Sequence, residues 1–219
     1  MQQKITAIFL DGQYDTTQID FYRRHAGAAD FLIAADGGVN FLNALDLVPD
    51  LLVGDGDGAD FSQARAKEVK RKTEQNKTDG ELAVLEAIER RPENRINIYG
   101  GLTRASEADQ FYGNLGLLYL SGRAVLRDPK QDIYIVSAQR PLVIIGEIGD
   151  ILSLAPYGVE RVEKAKTSGA KWEVKDNIFP GSSKYLRNKF AEREVRISVG
   201  RGSLLAFHGK LSSPLSYPV

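Results

Sequence analysis

Residues 49–60 read PDLLVGDGDGAD and place an apolar run directly before a loop of glycines and aspartates. Asp55 and Asp57 are separated by one glycine and flanked by Gly54 and Gly58. Glycine leaves the backbone unrestrained, and carboxylates this close repel one another unless a cation lies between them. The stretch therefore predicts a buried strand that ends in a loop able to hold a divalent cation and approach phosphate oxygens.

Similar segments occur at three other places in the first half of the chain: ITAIFLDG (5–12), DFLIAADGG (30–38) and INIYGG (96–101). Each predicts a buried parallel strand that ends in a glycine-rich tip. Stretches with helical spacing of apolar residues follow, at 39–45, after Thr78 and after Ser106. Alternating strands and helices predict a doubly wound, mostly parallel α/β sheet, whose ligands bind beyond the carboxyl ends of the strands.

The pattern changes after Asp128, where short strand-like runs are broken by Gly, Pro and Ser. These runs are QDIYIVSA, PLVIIGE, DILSLAPYG, AKWEV and EVRISVGRGSLLAFHG, the last with Gly200-Arg201-Gly202 as a hairpin signal. We expect two domains: an α/β domain at 1–128, which carries the acidic loops suited to a divalent cation and phosphate, and an all-β, sandwich-like domain at 129–219. Residues 175–193 are weakly patterned and fit a loop or a short helix.

Composition limits the kind of site the chain can build. The 29 basic and 29 acidic residues cancel, so no overall field favours nucleic acid or a membrane as partner. There is no cysteine, and His25 and His208 are the only histidines, which excludes thiolate and multi-histidine metal sites and favours a hard cation held by oxygen. No segment reads as a signal peptide or membrane span, and we expect a cytoplasmic protein.

The acidic loop shares its composition with three other kinds of loop. A polar turn would also be rich in Asp and Gly. An EF-hand fails, because Ala59, Asp60 and Ala66 stand where an oxygen ligand, glycine and glutamate are required. The strand-D-x-D-G pattern is similar to that of haloacid dehalogenase-like phosphatases, in which the first carboxylate attacks phosphorus. That family expects Thr or Val at position 59 and the motif on its first strand; it stays an alternative.

Five motifs in order resemble the thiamine pyrophosphokinase family: AADGGVNFL, PDLLVGDGDG, NKTDGELAVLEAI, YGGLTRASEADQFYGNLGLL and TSGAKWEV. The likeness spans residues 30–120 and 167–174. It implies an α/β nucleotide-binding domain followed by a β-sandwich, and a homodimer with thiamine at the subunit interface. It also implies transfer of the pyrophosphoryl group from ATP, the co-substrate, to the thiamine hydroxyl with Mg²⁺ as cofactor, which yields thiamine diphosphate and AMP.

The resemblance also assigns site residues by position. Asp55, Asp57 and Asp79 correspond to the carboxylates that hold magnesium and phosphate, and with Asp109 they form the expected catalytic set. Trp172 corresponds to a tryptophan that packs against the thiamine pyrimidine. The residues expected to bind nucleotide or thiamine are Asp36, Gly37, Gly38, Asn40, Gly54, Thr78, Arg104, Gln110, Asn114, Trp172 and Asn188.

The chain departs from the family pattern at several positions. Gly58 replaces the usual Ser, Gln75 replaces the Lys of the KxxTD motif, and Arg187 replaces a Ser. Around Arg104 the glycine motif has about two extra residues, so that Glu107 falls at the place of the family's arginine. A pyrophosphokinase for another heterocyclic alcohol, such as a hydroxymethylpterin, and a catalytically impaired thiamine- or nucleotide-binding homologue therefore stay open beside the phosphatase.

Overall fold

The structure is a computed structural model that describes residues 3–73, 76–102 and 108–211. It contains two compact units, Met1–Asp128 and Pro129–Val219. The first is built around a parallel sheet and the second from antiparallel sheets. The predicted fold class, an α/β unit followed by an all-β unit, is confirmed.

In the N-terminal unit, six strands lie in the order β6-β5-β1-β2-β3-β4, and every neighbouring pair is parallel. The strands are β1 (Ile5–Phe9), β2 (Phe31–Ala35), β3 (Leu51–Gly54), β4 (Val69–Arg71), β5 (Arg95–Tyr99) and β6 (Ala124–Arg127). The α-helices are α1 (Ile19–Gly27), α2 (Gly38–Ala44), α3 (Asp79–Arg90) and α4 (Ala108–Ser121), and a 3-10 turn spans Thr16–Gln18.

Helices pack against the sheet through apolar side chains. Residues of α1 and α2, including Tyr22 and Leu42, share one buried cluster with Phe9 of β1 and Leu32 of β2. Side chains alternate along a strand, so Ile8 faces the side of the sheet opposite to Phe9. Helix α3 contacts β1, β2 and β3 but has no residue in that cluster. Burial on both faces explains why these strands read as nearly continuous apolar runs.

The strand order places the candidate site. From β1 the chain proceeds outward through β2, β3 and β4, and then returns to β5 on the other side of β1. In an open sheet of this kind, ligands bind at the carboxyl ends of the strands beside such a reversal. Asp11, Asp36 and Asp55 follow the ends of β1, β2 and β3 at this edge.

The C-terminal unit contains two antiparallel four-strand groups, ordered β12-β9-β14-β7 and β11-β10-β13-β8. The strands are β7 (Gln131–Ser137), β8 (Leu142–Ile145), β9 (Ile151–Pro156), β10 (Val162–Ser168), β11 (Lys175–Ile178), β12 (Asn188–Lys189), β13 (Glu194–Ser198) and β14 (Ser203–Gly209), with a 3-10 turn at Ser183–Tyr185. Buried residues alternate with exposed ones along β13 and β10, as expected for strands covered on one face.

Three local predictions in this unit are wrong. Residues 175–193, expected to form a loop or a short helix, contain strands β11 and β12 beside a 3-10 turn, and β11 pairs antiparallel with β10. β13 pairs with β10 and β8, whereas β14 pairs with β7 and β9, so the segment Gly200–Gly202 crosses between sheets and does not close a hairpin. AKWEV (170–174) forms no strand beyond an isolated bridge at Ala170. Strand β10 was not predicted, because Lys and Glu occupy its exposed face and mask its apolar alternation.

Among the described helices, none combines the length and the hydrophobicity that a membrane crossing requires.

Candidate active site

Four aspartates from two loops and the start of a helix converge in the N-terminal unit. Asp36 follows β2, Asp55 and Asp57 lie in the loop after β3, and Asp79 is the first residue of α3. One oxygen from each carboxylate can be chosen so that all four atoms lie within 4.8 Å of one another. The structure therefore brings together the three residues assigned to magnesium, with Asp36 beside them.

A cavity of about 370 Å³ opens at this cluster. The acidic loops and part of α4 border it, and most of its wall is formed by polar atoms. The lining residues are Leu10, Asp11, Ala35, Asp36, Asp57, Lys72, Lys77, Thr78, Asp79, Gly80, Gln110 and Asn114. Asp11 and Lys72 belong to this wall but were not among the predicted site residues.

Asp36 holds the loop after β3 in place. The residue is only 3% exposed, and its two carboxylate oxygens accept hydrogen bonds from the Gly56 amide at 3.1 Å and the Gly58 amide at 2.6 Å. Burial and the hydrogen bond with Asp57 raise the pKa of Asp36 to about 6, although the Gly58 amide opposes this. Both oxygens are thus engaged with the loop, which makes Asp36 an anchor of the site.

Gly54 makes the close approach of β3 to Asp36 possible. Its φ of 151° is in the region that favours glycine, and a Cβ there would lie 3.0 Å from the Cβ of Asp36. Asp36 itself has a left-handed φ of 42°. Gly54 was predicted to contact nucleotide; its described neighbours show that it is needed for packing inside the protein.

Lys72 is the main residue that the sequence prediction missed. Its Nζ lies 3.0 Å from Asp55 Oδ2 and 3.0 Å from Asp79 Oδ1, and its side chain is 9% exposed. Burial lowers the pKa of Lys72, but the bonds with Asp79 and Asp55 outweigh burial and raise it above its ordinary value. The same ion pair lowers the pKa of Asp55. A cation is therefore present although Gln75, which lies outside the described residues, replaces the family's lysine.

Asp79 begins α3 without serving as its cap. Thr78 is the N-cap: its Oγ1 accepts the Glu81 amide at 3.1 Å, while the Glu81 carboxylate accepts the Thr78 amide at 2.8 Å. This capping box satisfies the helix end, so the Asp79 carboxylate stays available to the cavity. Its Oδ1 is buried and, in the described part of the chain, has no well-directed hydrogen bond; it faces the Lys72 ammonium.

The predicted residues of the DGG segment have structural partners. A Cβ on Gly38 would approach the Phe9 carbonyl oxygen closer than the 3.0 Å that real Cβ atoms keep, and one on Gly37 would lie 2.5 Å from the Asp11 carboxyl carbon. Asn40 donates a hydrogen bond to the Gly58 carbonyl at 3.1 Å. None of the three lines the described cavity, so each supports the shape of the site from outside it.

Helix α4 contributes two of its three predicted residues to the cavity. Gln110 and Asn114 line it, and the buried Asn114 donates from Nδ2 to the Gly101 carbonyl at 3.2 Å. Asp109 is exposed and is not a lining residue, because one residue along a helix turns the side chain by about 100° from Gln110. Arg104 and Glu107 lie outside the described residues.

Trp172 and Asn188 meet in the C-terminal unit. Asn188 Oδ1 accepts the Trp172 amide at 3.2 Å, and Asn188 Nδ2 donates to the Trp172 carbonyl at 2.7 Å. Trp172 is 58% exposed and borders a cavity of about 450 Å³. The cavity is lined by Trp172, Glu173, Val174, Lys175, Asp176, Lys184, Tyr185, Leu186 and Asn188. Asn188 thus fixes the backbone of a largely exposed tryptophan, whose ring has the Lys171 ammonium 4.7 Å from its centroid.

The segment that contains the aspartate cluster matches a known family. Residues 22–129 match the family model described as "Thiamin pyrophosphokinase, catalytic domain". This segment belongs to the thiamin pyrophosphokinase catalytic-domain family. The prediction of a thiamine pyrophosphokinase from the sequence is confirmed at the level of the family. The phosphatase, the pterin pyrophosphokinase and the catalytically impaired homologue are not favoured.

Solved thiamin pyrophosphokinases share the fold of the whole chain. That of Bacillus subtilis is 22% identical, with a TM-score of 0.76, and the match covers 94% of this chain and 99% of that chain. That of Geobacillus thermodenitrificans is 19% identical, with a TM-score of 0.77 and coverages of 95% and 99%. The yeast enzyme is 17% identical, with a TM-score of 0.72 and coverages of 99% and 90%. A comparison with proteins of curated function finds no significant match.

The donor set of the cluster suits a hard divalent cation. Magnesium prefers carboxylate oxygens and usually takes one or two of them, leaving its other positions to water and phosphate. Asp55, Asp57 and Asp79 carry such oxygens, and the buried Asp79 Oδ1 already faces a cation, the Lys72 ammonium, 3.0 Å away. The residues present therefore fit the cation that a pyrophosphokinase of this family would require.

Proposed function

We propose that this family member transfers the β,γ-pyrophosphoryl group of ATP to the hydroxyl group of thiamine, giving thiamine diphosphate and AMP. The convergence of Asp55, Asp57 and Asp79 at the carboxyl edge of the parallel sheet carries the proposal, because it lies inside the segment matched by the catalytic-domain model. Mg²⁺, ATP dependence and these site assignments belong to the proposal.

In this proposal, three carboxylates hold the cation and the loop around them holds the polyphosphate. Asp55, Asp57 and Asp79 would bind Mg²⁺, which supplies charge neutralisation of the phosphates when bound. Asp36 and Asn40 keep the glycine loop in a shape that lets phosphate oxygens approach the main chain. This protein machinery contributes mainly by positioning and electrostatics, as is general for phosphoryl transfer.

The bond changes define the products. The thiamine hydroxyl oxygen bonds to the β-phosphorus, the bond from that phosphorus to the oxygen bridging the α-phosphate breaks, and AMP leaves with that oxygen. The hydroxyl proton passes to a carboxylate at the cavity wall. Asp11, Asp36, Asp57 and Asp79 line the cavity; Asp57 and Asp79 are proposed to hold Mg²⁺ and both Asp36 oxygens bond to the glycine loop, so Asp11 is the first candidate for this base.

The acceptor assignment depends on the C-terminal unit. The exposed face of Trp172 is suited to stacking against a pyrimidine ring, a kind of contact worth about 1 kcal/mol beyond area burial. Glu173 and Asp176 border the same cavity, where each is paired with a lysine, Lys175 and Lys184, so the aromatic face and not the charge of the lining carries this assignment. A homodimer and a cytoplasmic location stay predictions from the resemblance and the sequence.

Product analysis tests the proposal. We expect the purified protein, incubated with thiamine, ATP and Mg²⁺, to form thiamine diphosphate and AMP in equal amounts by mass spectrometry. Asp57→Ala and Asp79→Ala should abolish both products, whereas Asp60→Ala, an exposed aspartate of the same loop, should retain them. Formation of ADP, phosphate release without an acceptor, or transfer only to a hydroxymethylpterin would refute the proposal.

A further inference from the structure

Lys72 lies where a cation would be expected. Its ammonium is equidistant, at 3.0 Å, from Asp55 Oδ2 and Asp79 Oδ1, and these two residues belong to the carboxylate cluster proposed to bind Mg²⁺. An ammonium this close to both carboxylates offsets part of their mutual repulsion. It also occupies coordination sites on the oxygens that a divalent ion would use.

The backbone beside Lys72 is held in place. The Lys72 amide donates to the Gly54 carbonyl at 2.7 Å, which continues the pairing of β3 with β4. On β4 and just before it, Lys70 and Glu68 form ion pairs with Glu86 and Arg90 of α3. The strand is therefore attached to both β3 and α3, so any change of partner by Lys72 has to come from rotation of its four-carbon side chain.

The phosphate oxygens of a ligand in the cavity would give the Lys72 ammonium a second set of partners. Lys72 is a lining residue of the cavity that is proposed to receive the polyphosphate. Lysine is a compact, flexible point charge suited to exchanging one anionic partner for another. Because the Lys72 ammonium lies near the two carboxylates and also near the cavity, two alternative pairings are possible: with Asp55 and Asp79, or with phosphate oxygens.

We propose that Lys72 acts as a built-in counter-cation that competes with the divalent ion for Asp55 and Asp79 in the free protein and binds the polyphosphate once the ion is present. This role takes over, from a different position in the chain, the positive charge lost at Gln75. It rests on the proposed binding of a divalent ion and ATP in this cavity. A purely structural lysine would instead affect stability without opposite effects on the two ligands.

Two binding measurements by calorimetry test this inference. The first titrates Mg²⁺ alone, without nucleotide; the second titrates ATP at saturating Mg²⁺. We expect Lys72→Met to tighten binding of Mg²⁺ alone by about tenfold, because a competing charge is gone, and to weaken ATP binding by about tenfold. Lys67→Met is the matched control, since Lys67 pairs with Asp50 outside the cavity and should change neither affinity.

Each outcome decides the question. Unchanged or weaker binding of Mg²⁺ alone by Lys72→Met, or unchanged binding of ATP, would overturn the inference. Should that variant fail to fold, Lys72→Arg replaces it: a guanidinium pairs bidentately with carboxylates, so Mg²⁺ alone should bind several-fold more weakly. Equal or tighter binding by the arginine variant would count against the proposal.

The measurements also separate this inference from the proposed function. Both titrations omit thiamine, so a wrong acceptor leaves their result intact. If Lys72→Met shifts the Mg²⁺ and ATP affinities in the expected opposite directions but the wild-type protein forms no AMP with thiamine, the proposed reaction is wrong and the role of Lys72 stands. If it forms AMP and Lys72→Met shows no such shifts, the role of Lys72 is wrong and the reaction stands.

Discussion

Replacement of Gly58 by alanine should disrupt the acidic loop, although a larger residue is usual at this position in the family that the sequence resembles. A Cβ at Gly58 would approach Asp36 Oδ2 closer than 3.0 Å and would lie 2.9 Å from Asp11 Oδ2. Asp36 is buried and held by the Gly56 amide as well, so its carboxylate cannot move aside without losing a hydrogen bond. The added methyl group therefore has to displace the loop.

Two terms set the size of the effect. Overpacking of a tight site costs about 1–3 kcal/mol, and loss of a hydrogen bond to a charged group costs about 1.5–3 kcal/mol. Because displacement of the loop would relieve the contact while breaking the 2.6 Å bond from the Gly58 amide to Asp36, the two terms partly replace one another. We expect Gly58→Ala to lower the free energy of unfolding of the N-terminal unit by about 2–4 kcal/mol.

Urea unfolding followed by helical circular dichroism measures this loss. All α-helices in the described residues belong to the N-terminal unit, while the single tryptophan, Trp172, lies in the C-terminal unit and its fluorescence serves as an internal reference. Gly113→Ala is the matched control: a Cβ there meets nothing within 4 Å, and alanine in a helix should stabilise by about 0.5–1 kcal/mol.

A double-mutant cycle isolates the contact between the two residues. In an Asp36→Gly background the main obstacle is gone, so the further cost of Gly58→Ala should fall below about 1 kcal/mol. The reasoning is refuted if Gly58→Ala is as stable as the wild type, or if its cost is the same in both backgrounds.

Three further changes have calculable consequences. Asp150→Asn should destabilise the C-terminal unit by about 2–3 kcal/mol near neutral pH. Burial raises the Asp150 pKa, but bonds from backbone amides and His208 lower it overall, so the carboxylate stabilises the fold only where it is ionised. The difference in unfolding free energy between wild type and variant should therefore shrink as pH falls below about 4, and urea unfolding across pH would check this. Asn188→Ala should raise the KM for thiamine more than that for ATP, because it removes two hydrogen bonds to the Trp172 backbone; equal changes in steady-state kinetics would contradict this. Thr78→Ala should cost about 1 kcal/mol through loss of the α3 cap, and thermal unfolding unchanged from wild type would contradict it.

Much of the N-terminal fold could be predicted because its strands are buried on both faces. Runs such as FLIAA and LLVG are apolar throughout and end in glycine and aspartate, so their direction and the edge at which their tips meet follow from the sequence. β4 escaped prediction because VKR is an exposed edge strand with no apolar signal. The residue that follows it, Lys72, consequently had no predicted place.

The predicted site divides in a similar way. Asp55, Asp57 and Asp79 could be predicted to meet, because Asp55 and Asp57 come just after the end of a strand and Asp79 is the first residue of a helix. The partners of Lys72 could not be predicted, since they depend on how a long side chain crosses from β4 to the loop after β3. The hairpin prediction at Gly200–Gly202 failed for a related reason: glycine marks a turn, but the pairing of the flanking strands is decided by which sheet buries their apolar faces.

The central claim is that Asp55, Asp57 and Asp79 jointly hold one divalent ion next to the polyphosphate. A crystal structure of the protein with Mn²⁺ and a non-hydrolysable ATP analogue, phased to show the anomalous signal of the metal, tests it most directly. We predict a manganese peak about 2.0–2.2 Å from oxygens of at least two of these aspartates and in contact with the phosphates. A nucleotide bound in the cavity with its metal away from all three carboxylates would contradict the claim.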